Sequence, residues 1–505
     1  MKKLLSKLFS RLSVTLLLIA LPVGWGVAML LRASAVFPWI NRFFGVIAIF
    51  VVIYIINRNA NPSYKIAWIV PILIFPLFGV SIYLLYGNKK PTRAMQKKFK
   101  NNEYILRDNL VQTQETLDAM SARDACRALY LQKLGFPVYG NTQAEYFPSG
   151  EALFPSIMEE ISKAEKFIFL EYFIIEEGKM WDSMLTLLSE KAKSGVDVRV
   201  IYDGVGCVGK LPTGYAPKLR SMGIKCREFN PFVPFVSVIM NNRDHRKILV
   251  VDGHTAFTGG INLADEYMNI THPFGYWKDS AIKISGEAAW SFTCMFLQMW
   301  NVIREKKEDA SAILPQVHHA QKFAGNGFVQ PFSDSPLDDE PISQNVYIDI
   351  ISTAEKYIYI CTPYLVIDNQ MKSALTLAAK RGVDVRIVTP GIPDKKIIYR
   401  LTRSYYPELL CEGVRIYEYS PGFLHEKAIV SDDKCAVVGT INMDFRSLYL
   451  HFECGVLMTN TPAVFDVRDD ALSILSSCRE IREPTKKSLI ARVFDSILRT
   501  FAPLL

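Results

Sequence analysis

Over most of its length the chain alternates between short runs of β-branched and aromatic residues and longer amphipathic stretches. The first kind includes Phe167–Phe173, Val196–Tyr202 and Lys247–Val251, whereas Trp181–Lys193 has a helical pattern. Alternation of this kind predicts an α/β fold in which helices cover a sheet. We interpret the aromatic run Phe167–Phe173 as part of the core.

The second half of this pattern repeats the first. Residues 161–170 match residues 351–360 at six of ten positions. Residues 245–262 align without a gap to residues 425–442, with eight identities in eighteen. Because the matching segments follow the same order, we predict two similar α/β domains in tandem.

The pattern also sets the predicted domain boundaries. A segment rich in Gly and Pro, which includes Asp338-Asp339-Glu340, separates the two halves and indicates a connection. The predicted division is a membrane region at 1–90, a linker at 91–145, a first domain at 146–305, a connection at 306–345, a second domain at 346–484 and a tail at 485–505.

Apolar segments dominate the N-terminal region. Residues 12–31 and 66–88 lack charged side chains and are long enough to cross a hydrocarbon core of about 30 Å. The shorter uncharged stretch 43–57 reaches that length if it starts near Phe37, which gives a segment 37–57. We expect 12–31 to be a retained anchor rather than a cleaved signal peptide, because its apolar run is longer than the roughly 7–15 residues of a signal-peptide core.

Charge adds a topology to these segments. Residues 1–90 contain ten Lys or Arg and no Asp or Glu, whereas the whole chain carries only +8. Basic residues on both flanks favour an even number of crossings. We therefore predict a multi-pass membrane protein, with a hairpin of 43–57 and 66–88 and a cytoplasmic body, and leave 12–31 unassigned.

The distribution of charge also bears on partners. The body, residues 91–483, is acidic by about five charges, because the positive charge lies at the two ends of the chain. A nucleic-acid-binding body would be basic, so we expect no nucleic-acid partner. Residues 489–501 form a basic amphipathic pattern that suits either an anionic lipid surface or ordinary packing on the domain.

Two copies of the pattern His-x-Lys-x-x-x-x-Asp carry the candidate chemistry. They are His245, Lys247 and Asp252 in the first half, and His425, Lys427 and Asp432 in the second. In a strand, residues i and i+2 project to one face, so His and Lys are expected to line a pocket together. Lys supplies a positive charge and His a nucleophile or proton donor.

Small and amide residues follow each motif at matched distances. They are Gly259 and Asn262 in the first half, and Gly439 and Asn442 in the second. Such residues allow close approach of an anion and donate hydrogen bonds to it. Two half-sites that face each other would surround one phosphodiester, so that one His attacks phosphorus and the other protonates the leaving alkoxide. This chemistry requires no metal or cofactor, and the nine scattered cysteines lack zinc-ligand spacing.

The carboxylates have two expected roles. Asp252 and Asp432 have the opposite strand parity from their histidines, so we favour a structural capping role over a catalytic one. Asp279 and Glu453 are candidates to orient the imidazoles. His451, like the histidines outside the motifs, is interpreted as a surface or core residue.

The paired motifs resemble the phospholipase D superfamily and, within it, the bacterial cardiolipin synthases. The resemblance extends over about residues 57–505 and includes Asn242-Arg-Asp-His-Arg-Lys247 and Phe257-Thr-Gly-Gly-Ile-Asn262. It implies tandem phospholipase D-like domains behind a transmembrane helical region. It also implies a membrane transferase that converts two phosphatidylglycerols into cardiolipin and glycerol through a phosphohistidine, with His245 as nucleophile and His425 as acid.

Other functions are compatible with the same motifs. A membrane phospholipase D that hydrolyses or exchanges headgroups differs only in the second step, in which water or another alcohol replaces phosphatidylglycerol. A nuclease of the superfamily and a non-catalytic lipid-binding scaffold are disfavoured by the acidic body and by the completeness of both motifs, respectively.

Overall fold

The computed structural model of the protein describes residues 38–87, 91–231, 242–303, 323, 325–337, 340–483 and 487–504. These residues belong to two compact units, a small one with residues 38–87 and 496–504, and a large one with the described residues between 91 and 495. The predicted anchor 12–31 lies outside the described residues.

The small unit is helical. They are α1 (Pro38–Asn57), α2 (Pro62–Ile74) and α3 (Pro76–Tyr86). They pack around a core that includes Trp68, Ile72 and Tyr83. Within the part of the chain that the structure describes, no helix combines the length and the apolar character needed to cross a membrane.

The segment 66–88, which the sequence pattern suggested as one span, is two helices. The break is at Phe75, whose φ of −132° is not helical. Pro76 lacks an amide hydrogen and occupies the first turn of the next helix, so it ends α2 and starts α3. A Cβ on Gly79 would lie 2.5 Å from the backbone of Ile72, which means that α3 turns back closely against α2.

The large unit begins with helices in the stretch 91–145, which the sequence pattern marked as a linker. They are α4 (Arg93–Lys100), α5 (Tyr104–Arg107), α6 (Gln114–Asp118) and α7 (Ala122–Lys133). The backbone of this stretch is tied to the second half of the molecule, since the Gln330 amide donates to the carbonyl oxygens of Ala128 and Phe136 at 3.0 and 2.8 Å. These residues are therefore part of the globular body.

The first half is a mixed sheet covered by helices. Its strands are β1 (Thr142–Phe147), β2 (Phe167–Tyr172), β3 (Asp197–Asp203), β4 (Lys225–Phe229), β5 (Lys247–Val251), β6 (Thr255–Gly259), β7 (Tyr276–Lys278) and β8 (Ala281–Gly286). Its helices are α8 (Gly150–Lys163), α9 (Lys179–Lys193), α10 (Tyr215–Ser221) and α11 (Ala289–Ile303). The sheet order is β1-β8-β6-β5-β2-β3-β4. Every residue of β2 is buried, as expected for a central strand covered on both faces.

The second half repeats this architecture. Its strands are β9 (Phe328–Asp334), β10 (Tyr357–Cys361), β11 (Leu365–Val366), β12 (Asp384–Pro390), β13 (Arg415–Tyr419), β14 (Gly422–Leu424), β15 (Ala428–Ser431), β16 (Cys435–Gly439), β17 (Met443–Asp444), β18 (Glu453–Thr459) and β19 (Cys478–Ile481). Its helices are α12 (Ile342–Thr353), α13 (Asn369–Lys380), α14 (Lys396–Cys411), α15 (Phe445–Tyr449) and α16 (Pro462–Ser476), and α17 (Leu489–Phe501) follows them.

The two sheets have the same strand order. Listed from the equivalent edge, the second sheet has the order β9-β18-β16-β15-β10-β12-β13-β19. It matches the first sheet strand for strand, and β19 is an added edge strand. The predicted duplication and the α/β fold are confirmed. The stretch 306–345 is more than a connection, because β9 lies within it and pairs with β18 at the far edge of the second sheet.

Candidate active site

The two His-x-Lys segments meet where backbone segments of the two halves pair with each other. His245 and His425 lie in extended segments just before β5 and β15, rather than within the strands as the spacing suggested. The His245 amide donates to the carbonyl oxygen of Phe452 at 3.0 Å, and the His425 amide donates to that of Lys278 at 2.7 Å. Strand β14 also pairs in parallel with β7 of the first half. Each histidine is thus attached to the backbone of the opposite half.

The carboxylate partners of the imidazoles cross in the same way. Nδ1 of His245 is 2.9 and 3.0 Å from the two carboxylate oxygens of Glu453, which belongs to the second half. Nδ1 of His425 is 2.6 Å from Oδ2 of Asp279, which belongs to the first half. A carboxylate at Nδ1 holds that nitrogen protonated and leaves the lone pair on Nε2. Asp279 and Glu453 therefore have the geometry expected of imidazole-orienting groups.

Further hydrogen bonds hold the two carboxylates in place. Glu453 accepts from the hydroxyl groups of Ser447, at 2.6 Å, and of Thr440. Asp279 accepts from the amide of Ser280 at 2.8 Å. A Cβ on Gly260 would lie 1.9 Å from Oδ1 of Asp279, so glycine makes room for this carboxylate. The groups that hold Asp279 and Glu453 were not predicted, although Gly260 and Thr440 occupy matching positions fifteen residues after each histidine.

Both motif lysines are buried next to their histidines. Lys247 donates to the carbonyl oxygen of His245 at 2.8 Å, and Lys427 donates to that of His425. Burial lowers the pKa of Lys247 to about 8 and that of Lys427 to about 7. The two ammonium groups repel each other, which lowers the pKa of Lys427 further. Two cations so close together in a desolvated site favour a bound anion.

The same burial keeps the imidazoles neutral. Burial lowers the pKa of His245 to about 3, against the attraction of Glu453. Burial, followed by the charges of Lys427 and Lys247, lowers the pKa of His425 well below its ordinary value. Lys247 thus contributes to lowering the pKa of a histidine in the opposite half. A neutral imidazole with a lone pair on Nε2 is the nucleophilic form.

The motif aspartates have a different position. Asp252 accepts hydrogen bonds from the backbone amides of Glu165, Lys166 and Phe167, each at 2.8 Å. Asp432 accepts from the equivalent amides of residues 355, 356 and 357 at 2.7–2.9 Å. Each carboxylate therefore fixes the turn that leads into a central strand, β2 or β10. This is the capping geometry favoured by strand parity.

The glycines and asparagines that follow the motifs differ from the expected pattern. Gly259 and Gly439 allow close strand packing, because a Cβ would lie 2.4 Å from the carbonyl oxygens of Ser280 and Cys454. Asn262 is engaged internally: it accepts from the Ile174 amide at 3.1 Å and donates to the Tyr267 hydroxyl at 2.6 Å.

Asn442 differs from Asn262. Its Oδ1 is buried without a hydrogen-bond partner among the described residues. Only the second of the two expected asparagines therefore retains unused hydrogen-bonding capacity at this atom.

Aromatic side chains form the walls around both imidazoles. The ring of Phe173 contacts His245 edge-on at a centroid distance of 4.9 Å. The rings of Tyr267 and Trp277 lie 5.4 and 5.5 Å from His425. Phe173, at the end of the aromatic run interpreted as core, therefore contacts the site, whereas Phe167 and Phe169 stack within the core. None of these wall residues was predicted to line the site.

His451 also lies in the site, contrary to its interpretation as a surface or core residue. Its ring is 5.6 Å from that of His245. One potential metal-ligand atom from each of His245, His451 and Glu453 lies within 4.8 Å of the other two, a spacing that could hold a metal ion. Glu453, however, already accepts from His245, Ser447 and Thr440, so a metal would have to displace these hydrogen bonds.

Comparison with protein families gives matches over both halves. Residues 157–300 and 347–473 match the family model described as "Cardiolipin synthase, PLD-like domain". Residues 46–88 match the model described as "Phospholipase_D-nuclease N-terminal". The first match spans more than half of the chain and includes both His-x-Lys motifs.

Individual relatives match along nearly the whole chain. A cardiolipin synthase of Geobacillus sp. (strain WCH70) is 37% identical, with 90% of this chain and 92% of that protein covered. A cardiolipin synthase of Halalkalibacterium halodurans is 32% identical over 98% of this chain and all of that protein. Among solved structures, the phosphatidylserine synthase of Haemophilus influenzae shares the fold, with a TM-score of 0.54, 16% identity and coverage of 81% of this chain and 98% of that one.

Proposed function

Because the chain belongs to the family of phospholipase D-like cardiolipin synthases, we propose that it transfers a phosphatidyl group from one phosphatidylglycerol to another. The products are cardiolipin and glycerol. The crossed pairs His245–Glu453 and His425–Asp279 are the observation that carries this proposal, because they supply one nucleophile and one proton carrier to a single anion-binding site.

In the first step, Nε2 of neutral His245 attacks the phosphorus of the donor lipid. A P–N bond forms, the P–O bond to the glycerol headgroup breaks, and His425 gives its proton to the departing oxygen. The phosphodiester anion favours the protonated form of His425 and so offsets the opposing charges of Lys247 and Lys427. The assignment of His245 as nucleophile follows the family resemblance.

The second step reverses the roles. His425 removes the proton from a glycerol hydroxyl of a second phosphatidylglycerol, whose oxygen attacks the phosphorus. The P–N bond breaks, which restores neutral His245 and releases cardiolipin. Lys247 and Lys427 provide positive charge to the phosphodiester, and the unpartnered Oδ1 of Asn442 can accept a hydrogen bond from a glycerol hydroxyl. Neither step calls for a metal.

We also propose that the enzyme is a multi-pass protein of the bacterial cell membrane with its catalytic halves on the cytoplasmic side. Residues 1–90 carry ten basic and no acidic side chains, and basic clusters flank the region on both sides. Many apolar side chains of α1 are exposed, for example Phe50 at 68%. Exposed apolar surface beside basic residues suits contact with anionic lipid.

The C-terminal helix supports this attachment. Asp495 faces inward, with its carboxylate 2.6 Å from both Arg400 and Lys487. The apolar side chains of Leu489, Ile490 and Val493 are exposed instead. An ordinary packed helix would bury its apolar side, so the observed orientation favours a lipid surface over packing on the domain.

The function is tested with the purified full-length protein in phosphatidylglycerol vesicles that contain EDTA. We expect cardiolipin and glycerol in equal amounts, measured by mass spectrometry and an enzymatic glycerol assay. Phosphatidic acid without cardiolipin would show that water is the acceptor in the second step and that the protein is a phospholipase D. An absolute requirement for Mg²⁺ or Mn²⁺ would contradict the metal-free mechanism.

A further inference from the structure

His451 and Trp277 occupy equivalent positions in the two halves. Each lies two residues before the carboxylate that orients the opposite histidine, Glu453 or Asp279. Their backbones are matched as well, because the following residues Phe452 and Lys278 accept from the two histidine amides. The His451 ring is 5.6 Å from His245, and the Trp277 ring is 5.5 Å from His425. The duplicated site therefore has an imidazole beside one histidine and an indole beside the other.

The polar atoms of these two side chains make no hydrogen bond among the described residues. Both ring nitrogens of His451 and Nε1 of Trp277 are buried without a hydrogen-bond partner among the described residues. Nδ1 of His451 is 3.8 Å from Glu453, which is beyond hydrogen-bond range. The His451 side chain is only 10% exposed, so solvent does not compensate its nitrogens. Buried polar groups without partners in a site indicate contacts that a ligand completes.

The backbone holds His451 in this position. Its amide donates to the carbonyl oxygen of Arg446 at 3.0 Å, and the amide of Phe452 donates to that of Arg243 at 2.8 Å. The Phe452 ring stacks on Phe99 at 4.9 Å. His451 is therefore anchored on both sides of its own Cα, and its imidazole is presented to the site by a fixed backbone.

We propose that His451 is a phosphate-binding residue, whose imidazole donates a hydrogen bond to a nonbridging oxygen of the phosphodiester held at His245. In an in-line displacement, the departing and entering oxygens lie opposite the nucleophile. Groups beside the nucleophile consequently contact the nonbridging oxygens, whereas Trp277, beside His425, faces the side of the glycerol. The inference rests on the proposed function for the identity of the nucleophile.

Orthovanadate tests this inference, because it adopts the five-coordinate geometry of phosphoryl transfer. Its affinity for the full-length protein in detergent is measured by calorimetry, which needs no turnover. His451→Phe and His451→Leu remove both ring nitrogens and differ in shape, so a folding defect of one leaves the other informative. We expect each folded variant to bind vanadate about tenfold more weakly or worse, and His451→Gln, which keeps a donor, to recover most of the affinity.

The matched control is His272→Phe at an exposed position, which we expect to leave vanadate binding unchanged. Unchanged vanadate affinity in folded His451→Phe and His451→Leu, or equal weakening in His451→Gln, would overturn the inference. An effect that appears only when Zn²⁺ is present would also overturn it, in favour of a metal site. If the wild type binds vanadate in a His451-dependent way but makes no cardiolipin, the proposed function fails and the phosphate contact stands.

Discussion

At the scale of single residues, the site depends on carboxylates that reach across the duplication. His245 has its partner in the second half and His425 has its partner in the first. Each imidazole is thereby held at Nδ1 by a carboxylate of the opposite half. Neither half would orient its own histidine.

Glu453→Gln tests this arrangement at His245. The amide can present its NH₂ group to Nδ1 and so favour the wrong tautomer, and we expect phosphoenzyme formation to slow by about 10- to 100-fold or more. Rapid-quench kinetics with labelled phosphatidylglycerol measure the rate. Glu165→Gln, at an exposed position, is the control. An unchanged rate in Glu453→Gln would mean that the carboxylate does not orient the nucleophile.

The buried lysines predict a pH dependence. The pKa of Lys427 is lowered to about 7, chiefly by burial, and its phosphate-binding form is the ammonium. This form is lost as pH rises, so kcat/KM for phosphatidylglycerol should fall on the alkaline side from about pH 7. A Lys427→Arg variant keeps its charge, and we expect its alkaline decline to move to higher pH. A wild-type profile that stays flat in this range would contradict the role of Lys427.

Sequence reasoning reached most of these residues but not their geometry. The motif histidines and lysines, and the two orienting carboxylates, were identifiable by type and spacing. The pairing of each histidine with a carboxylate of the opposite half was not predictable. It depends on the pairing of β14 with β7 and on the bridge between Asp244 and Phe452. His451 was missed for the same reason: in sequence it is an isolated histidine, and only the fold brings it to His245.

At the scale of elements, hydrophobic pattern identified strands better than it identified helix breaks. The runs that became β2, β3 and β5 are nearly coextensive with the observed strands. The prediction of one continuous segment over 66–88 was wrong, because apolar composition does not reveal the break at Phe75. Pro76 was the sequence signal for that break. Strand β9 was hidden in a Gly- and Pro-rich stretch because its hydrogen-bond partner, β18, is distant in sequence.

The exposed side of α17 carries an element-scale prediction. A spin label at Ile490→Cys, where the native side chain is 83% exposed, should be relaxed more by lipid-soluble oxygen than by a water-soluble nickel chelate in phosphatidylglycerol nanodiscs. The exposed thiols Cys126 and Cys411 are first replaced by Ser. A label at Leu377→Cys on α13, 57% exposed, is the control and should show the reverse. Equal relaxation at both positions would refute lipid contact by α17.

At the scale of the whole molecule, duplication explains why one chain has one site. The two sheets share their strand order, and each half contributes one histidine, one lysine and one orienting carboxylate. The halves have nevertheless diverged at the walls of the site, where His451 faces His245 and Trp277 faces His425. This divergence allows two chemically similar half-sites to take different roles.

The assignment of those roles is tested most directly by mapping the covalent intermediate. The full-length wild type, His245→Asn and His425→Asn are mixed with phosphatidylglycerol, quenched under denaturing alkaline conditions and analysed by peptide mass spectrometry. We predict a phosphatidyl group on His245 in the wild type and in His425→Asn, where it persists, and no adduct in His245→Asn. An adduct on His425 in the His245→Asn variant, together with no adduct on His245 in the wild type, would contradict the account.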